Sequence, residues 1–205
     1  MARSGGGDHE PSDSGSGCPT PLKAIPAAAL LAVLPILAWA WDPDDLNRFR
    51  STLTCLSCDL AGANLVKADL RASNLAGSDL TGARLSYGIL IGANLSGVTL
   101  TGADLRGANL FYSLLDGARL DGADLTGAIL TGATLAGADL TGTDLGGANL
   151  FSANLAGAVM HRTDLGHASL ARANLSGTRI ERTALDSAIL CETLMPDGRS
   201  ADRDC

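Results

Sequence analysis

From Leu60 to Leu190 every fifth residue is leucine, with Met160 and Ile180 the two substitutes. Neither regular period accommodates that beat. Five residues of α-helix rotate by about 500°, so successive leucines wander round the surface and make no stripe. In a flat strand an odd spacing throws consecutive leucines onto opposite faces. The beat works if the chain turns a corner once per repeat, because the leucine (position i) and the residue at i−2 then point to one interior. Position i−2 is small, as in Ala63, Ala68, Ser73, Ala123, Thr143 and even Val98. A narrow interior holding one leucine and one small side chain per segment requires this. Position i+2 is often glycine, as in Gly92, Gly97, Gly102 and Gly107, which suits a tight bend. Composition agrees: 46% of residues are hydrophobic but only 3% aromatic, so leucine and alanine must build the core. A chain of stacked corners of this kind is a β-solenoid.

The segments "ANLSG" (Ala93 to Gly97) and "ADLTG" (Ala123 to Gly127 and Ala138 to Gly142) resemble the A(D/N)LxG consensus of the pentapeptide-repeat family. The resemblance covers Cys58 to about Met195, twenty-seven repeats without a break in sequence. It implies an all-β fold, a right-handed quadrilateral β-helix with four repeats per coil and about seven coils. The flanks "CLSCDLAGANL" and "CETLMPDG" are similar to those of exported members from bacteria and the thylakoid lumen. Cytoplasmic members that mimic DNA and bind gyrase supply the alternative reading, with which the net charge of -7 is consistent. Those members commonly carry some phenylalanine at the central position, where this chain has only Leu, Met or Ile.

Ahead of the array, residues 1–23 are rich in Gly, Ser and Pro and are expected to be disordered. Residues 24–40, "AIPAAALLAVLPILAWA", form an uncharged run with small residues at Ala38 and Ala40, the pattern of a signal peptide cut after Ala40. A retained membrane anchor is the rival reading; the short run and its Pro26 and Pro35 favour cleavage, leaving no membrane attachment afterwards. Residues 41–54 read as a capping helix, with Asp42 at the N-cap, Pro43 at the first turn and Leu46, Phe49 and Leu53 on one face. It should cover the first coil of the array, residues 55–195, whose open edge would otherwise invite aggregation. Cleavage removes Cys18 and leaves Cys55, Cys58, Cys191 and Cys205 at the two ends of the array, a distribution that looks like two staples. The Cys55-x-x-Cys58 pair admits redox, zinc and disulfide readings; a structural disulfide is favoured, since no second such pair and no strand-helix context accompany it. Residues 196–205 form a tail tied back through Cys205.

With four repeats per coil, residues twenty apart stack. Ile89, Ile91, Phe111, Ile129 and Phe151 then share one face as a candidate interaction surface, extended round a corner by Tyr112 and Leu114. The neighbouring face carries a column of Asp104, Asp124, Asp144 and Asp164. Asp and Asn interchange at this i−1 position, as in Asn64, Asp69, Asn74 and Asp79, which favours a hydrogen-bond acceptor role over a charge role. The group His161, Asp164 and His167 invites a metal or acid–base reading, but the three fall on different sides of a convex surface, and stacking places His161 beside Glu181. No nucleophile-base pair, phosphate loop or metal cluster is legible, and an acidic chain lacks the basic surface that nucleic acid needs. The expectation is an exported, non-enzymatic interaction module without cofactor or metal. It would present a flat face to a protein partner or to a second copy of itself.

Overall fold

The structure is a computed structural model that describes residues 42–205; the expected extension (1–23) and signal segment (24–40) lie outside the described residues. Parallel bridges link residues twenty apart. Thr54, Asn74, Asn94, Leu114, Thr134, Asn154, Asn174 and Leu194 form one such column of seven steps, and three further columns run beside it. Each coil therefore has four sides, and most sides contribute a single bridging residue rather than a strand of any length. The two regular parallel strands, β1 (Val159–Met160) and β2 (Arg179–Ile180), are two residues each.

One repeat, Ala123 to Gly127, shows why the five-residue unit is self-sufficient. The Ala123 amide closes a turn on Leu120 O at 2.9 Å, and the Asp124 amide donates to Ala103 O of the preceding coil at 3.0 Å. Leu125 donates to Asp144 O of the next coil at 2.7 Å and Gly127 to Gly146 O at 2.9 Å. The fifth amide, Thr126, faces outward at the corner and is taken by Asp124 Oδ1 at 3.0 Å. All five donors are paired, as a packed backbone demands. The left-handed φ of 65° at Gly127 is that of the third residue of a type II turn. Leucines and small i−2 residues fill the interior as one continuous core, from Leu46 and Phe49 to Leu190. Buried hydroxyls at i−2 are returned to the backbone, as in Thr143 Oγ1 to Leu120 O at 2.7 Å, with Ser73 the exception among the described residues.

The capping helix α1 spans Pro43–Thr52, with the Asp42 carboxylate accepting from the Asp44 amide at 2.8 Å. Leu46 and Phe49 are buried as expected, but Leu53 is not part of that face: it is the left-handed C-cap, φ 53°, and 38% exposed. Helix and coil are joined where Asp59 N donates to Asp45 Oδ2 at 3.0 Å. Directly beneath, Cys55 and Cys58 form a disulfide at interior positions, with Arg48 Nη2 2.9 Å from Cys58 Sγ.

At the other end the ladder departs from the register expected in sequence. The column through Asp144 and Asp164 stops there, and the chain makes a 3-10 turn at Arg182–Leu185. Ala184 gives this corner no side-chain acceptor, but neither do Ile89, Leu114, Arg119 or Ile129, through which the ladder runs on, so the missing acceptor does not by itself end it. Leu185 and Leu190 nonetheless stay in the core. The chain then returns as the antiparallel pair β3 (Thr193–Leu194) and β4 (Ser200–Ala201). The tail is held by the Cys191–Cys205 disulfide, by Leu190 N to Asp204 Oδ2 at 2.8 Å and by Arg203 Nη2 to Leu185 O at 3.1 Å.

Candidate association surface

The column Asp69, Ile89, Asn109, Ile129, Asn149, Ser169 and Ile189 defines one face, and Ile91, Phe111 and Phe151 lie on it two residues further along their coils. The five residues expected to share a face are thus brought together. Phe111 and Phe151 are each 37% exposed and Ile129 40%, while Ile89 and Ile91 are half-buried. Isoleucine at 89 and 129 forgoes the side-chain acceptor that Asp and Asn give the corner amide elsewhere, so these residues serve the surface rather than the coil. Phe111 meets Tyr112 edge to face, ring centroids 4.4 Å apart, and Arg172 lies 5.7 Å from the Phe151 ring centre. Ile189, exposed, prolongs the strip by the same twenty-residue rule, and Tyr87 borders it at the opposite corner from Tyr112. Both were readable from the spacing, Ile189 as the next bridging position and Tyr87 as an aromatic in a glycine slot.

Asp104, Asp124, Asp144 and Asp164 stack as successive bridges on the adjacent face. Each Oδ1 accepts from the backbone amide two residues on, at 3.2 Å from Arg106, 3.0 Å from Thr126 and 2.8 Å from both Gly146 and Gly166. Charge is also offset at the top of the column. Arg106 contacts Asp104 at 2.8 Å and Asp124 at 3.6 Å, and its side-chain hydrogen bond holds the Asp104 carboxyl down at about 2. The carboxylates are first corner acceptors and only second a charged strip.

His161, Asp164 and His167 are not assembled into a site. His161 Nδ1 pairs with Glu181, whose Oε2 also accepts from Arg162 N at 3.1 Å, while Asp164 serves Gly166. Among the described residues the one group with metal-ligand spacing is Asp45, Cys55 and Cys58, their ligand atoms within 4.8 Å of one another. As a disulfide the two sulfurs are not thiolate donors, and Arg48 sits against them. A cavity of about 490 Å³ lies at the C-terminal end, floored by Ile180, Leu185, Leu190 and Met195 and overhung by Pro196 and Arg199 of the tail. Its floor is the last layer of the core.

Comparison with known proteins follows this geometry. The family described as pentapeptide repeats (8 copies) matches over residues 57–86, 78–111, 89–127, 113–155 and 153–190. No curated protein matches the sequence. Among solved structures the chain is similar to a pentapeptide repeat protein of the Arabidopsis thaliana thylakoid lumen, with 25% identity over 54% of this chain and 70% of that one, TM-score 0.38. It is also similar to Rfr23 from the cyanobacterium Cyanothece 51142, with 29% identity over 68% and 95% of the two chains, TM-score 0.29. A third is QnrB1, a plasmid-mediated fluoroquinolone resistance protein, with 18% identity over 63% and 80%, TM-score 0.35. Proteins with this repeat are right-handed quadrilateral β-helices and are typically non-enzymatic structural or interaction proteins. With the family matched along residues 57–190 and four-sided coils of twenty residues on the page, the chain belongs to the pentapeptide-repeat family.

Proposed function

We propose that the protein is an exported, non-enzymatic interaction module that associates through its isoleucine–phenylalanine face. One observation carries this: Ile129, Phe111 and Phe151 stand exposed on one flat face that the core does not need, since the leucines fill the interior without them. Export is supported by the Ala24–Ala40 segment and by the two disulfides, which persist in oxidising compartments. No helix among the described residues is long and apolar enough to cross a membrane. DNA mimicry by the aspartate column is the weaker reading, because Arg106 interrupts its charge and the carboxylates are engaged by backbone amides.

The double substitution Phe111→Ser with Phe151→Ser tests the face. Neither side chain points inward, so the circular dichroism spectrum should be unchanged while self-association or the set of co-purifying proteins is lost. If both survive in the folded variant, the face is not the association surface.

A further inference from the structure

We propose, resting on that face, that its partner is a second copy of this chain, packed antiparallel about a two-fold axis that passes through Ile129. The face has an internal symmetry in its side chains: Phe111 and Phe151 occupy the coils immediately before and after that of Ile129, at the same position along the side. A two-fold axis running along the strand direction in the contact plane reverses the order of coils and preserves position along each side. Phe111 then meets Phe151 of the second copy, Ile129 meets Ile129, and Tyr112, 61% exposed, lies over the small Ser152. The other two-fold arrangement keeps the coils level and reverses each side. It sets Phe111 against Asn109 and Ile129 against Thr131, apolar on polar, and buries amides without partners. Both contacts are isologous, but only the antiparallel one opposes Phe111 to Phe151 and Ile129 to itself, with Ile89 and Ile91 falling on the small Ser169 and Ala171.

Between Gly88 and Ala171 this face carries no Asp, Glu, Lys, Arg or His; its charges are confined to the ends, Asp69 and Arg71 at the first coil, Arg172 and Glu192 at the last two. In either arrangement these charges stay at the rims of the contact, outside the rows of Phe111, Ile129 and Phe151. The aspartate face cannot self-associate in this way, since reversal about its middle opposes Asp104 to Asp164 and Asp124 to Asp144. A side of three extended residues and seven stacked coils is about 10 Å by about 34 Å, roughly 340 Å² of flat surface before side-chain relief. That is well below the roughly 800 Å² per partner of a tight complex, so the pair is weak and concentration-dependent.

Sedimentation equilibrium of the full chain tests the pairing and its direction. The wild type should show a reversible monomer–dimer equilibrium. Phe111→Lys and Phe151→Asp alone should each weaken it about tenfold or more, because each removes a ring from the apolar contact and takes a charge out of water without a counter-ion. The double variant Phe111→Lys with Phe151→Asp should recover to within about threefold of wild type, since antiparallel packing sets each lysine against an aspartate, and the recovery should fade with salt. A wild type monomeric across the accessible concentrations, or a folded double variant no better than the single ones, overturns the proposal. If the wild type is monomeric yet Phe111→Ser with Phe151→Ser still loses co-purifying proteins, the face stands as a partner surface and only self-pairing falls.

Discussion

Tyr87 occupies the corner position that most repeats give to glycine, adopts the same left-handed φ of 57°, and lays its ring over Gly107 of the next coil. A β-carbon built on Gly107 falls 2.7 Å from Tyr87 Cε1, whereas one built on Gly127, at nearly the same φ, meets nothing within 4 Å. Gly127→Ala should therefore cost about 1 kcal/mol, the left-handed penalty alone, and Gly107→Ala distinctly more. Urea denaturation of both, repeated in a Tyr87→Ala background where the two costs should converge, decides whether the ring is held; equal costs in the wild-type background mean that it swings freely. Asp104 supplies a second residue-scale expectation. Its folded carboxyl is held down at about 2, below the ordinary 3.8, by the Arg106 hydrogen bond. The resulting stability is present above about pH 4 and is lost as pH falls through 4 towards 2. Since the Arg106 side chain is 57% exposed, solvent screening limits the effect to about 1 kcal/mol or less. Asp104→Asn keeps the corner acceptor and removes the charge, so it should flatten the loss of stability between pH 5 and pH 2.5; an unchanged pH profile would refute the pairing.

At the scale of elements, the two ends are built differently because they solve different problems. The α1 helix brings its own apolar pair, Leu46 and Phe49, onto the first coil, so the N-terminal end is closed by packing. The C-terminal end has no helix and is closed by the tail, whose hold depends on Cys205, Asp204 and Arg203. A cross-link closing a loop of about 15 residues contributes roughly 3 kcal/mol in the chain-entropy view. Cys205→Ser should thus release the tail after Met195 to rapid hydrogen exchange and protease cleavage, while amides in the coils from Leu60 to Leu170 stay protected, as expected when each coil contacts only its neighbours. Loss of protection along the whole array would mean that the tail holds more than its own coil.

On the scale of the whole molecule, export and oxidation go together. Thiol titration of the purified chain under denaturing, non-reducing conditions should find no reactive thiol beyond that of Cys18; four or more would overturn both disulfides and the oxidising compartment. The five-residue beat by itself determined the solenoid, the leucine interior and the corner acceptors, because a repeat with one interior contact set leaves the backbone a single register; the membership of each face followed only with the four-repeat coil that the family resemblance implied. The helix start at Asp42 was equally legible, since capping depends on neighbours in sequence. Three features were decided only by tertiary structure. Leu53 left the buried face because the helix ended one residue before it in a left-handed cap. The coil broke at Arg182–Leu185 although leucine continued on the beat, where the returning tail offers the last coil other partners. The seat of the tail on the last coil, Leu190 N to Asp204 Oδ2 and Arg203 Nη2 to Leu185 O, likewise joins groups that no spacing in the sequence pairs, because it depends on where the chain folds back after the array ends.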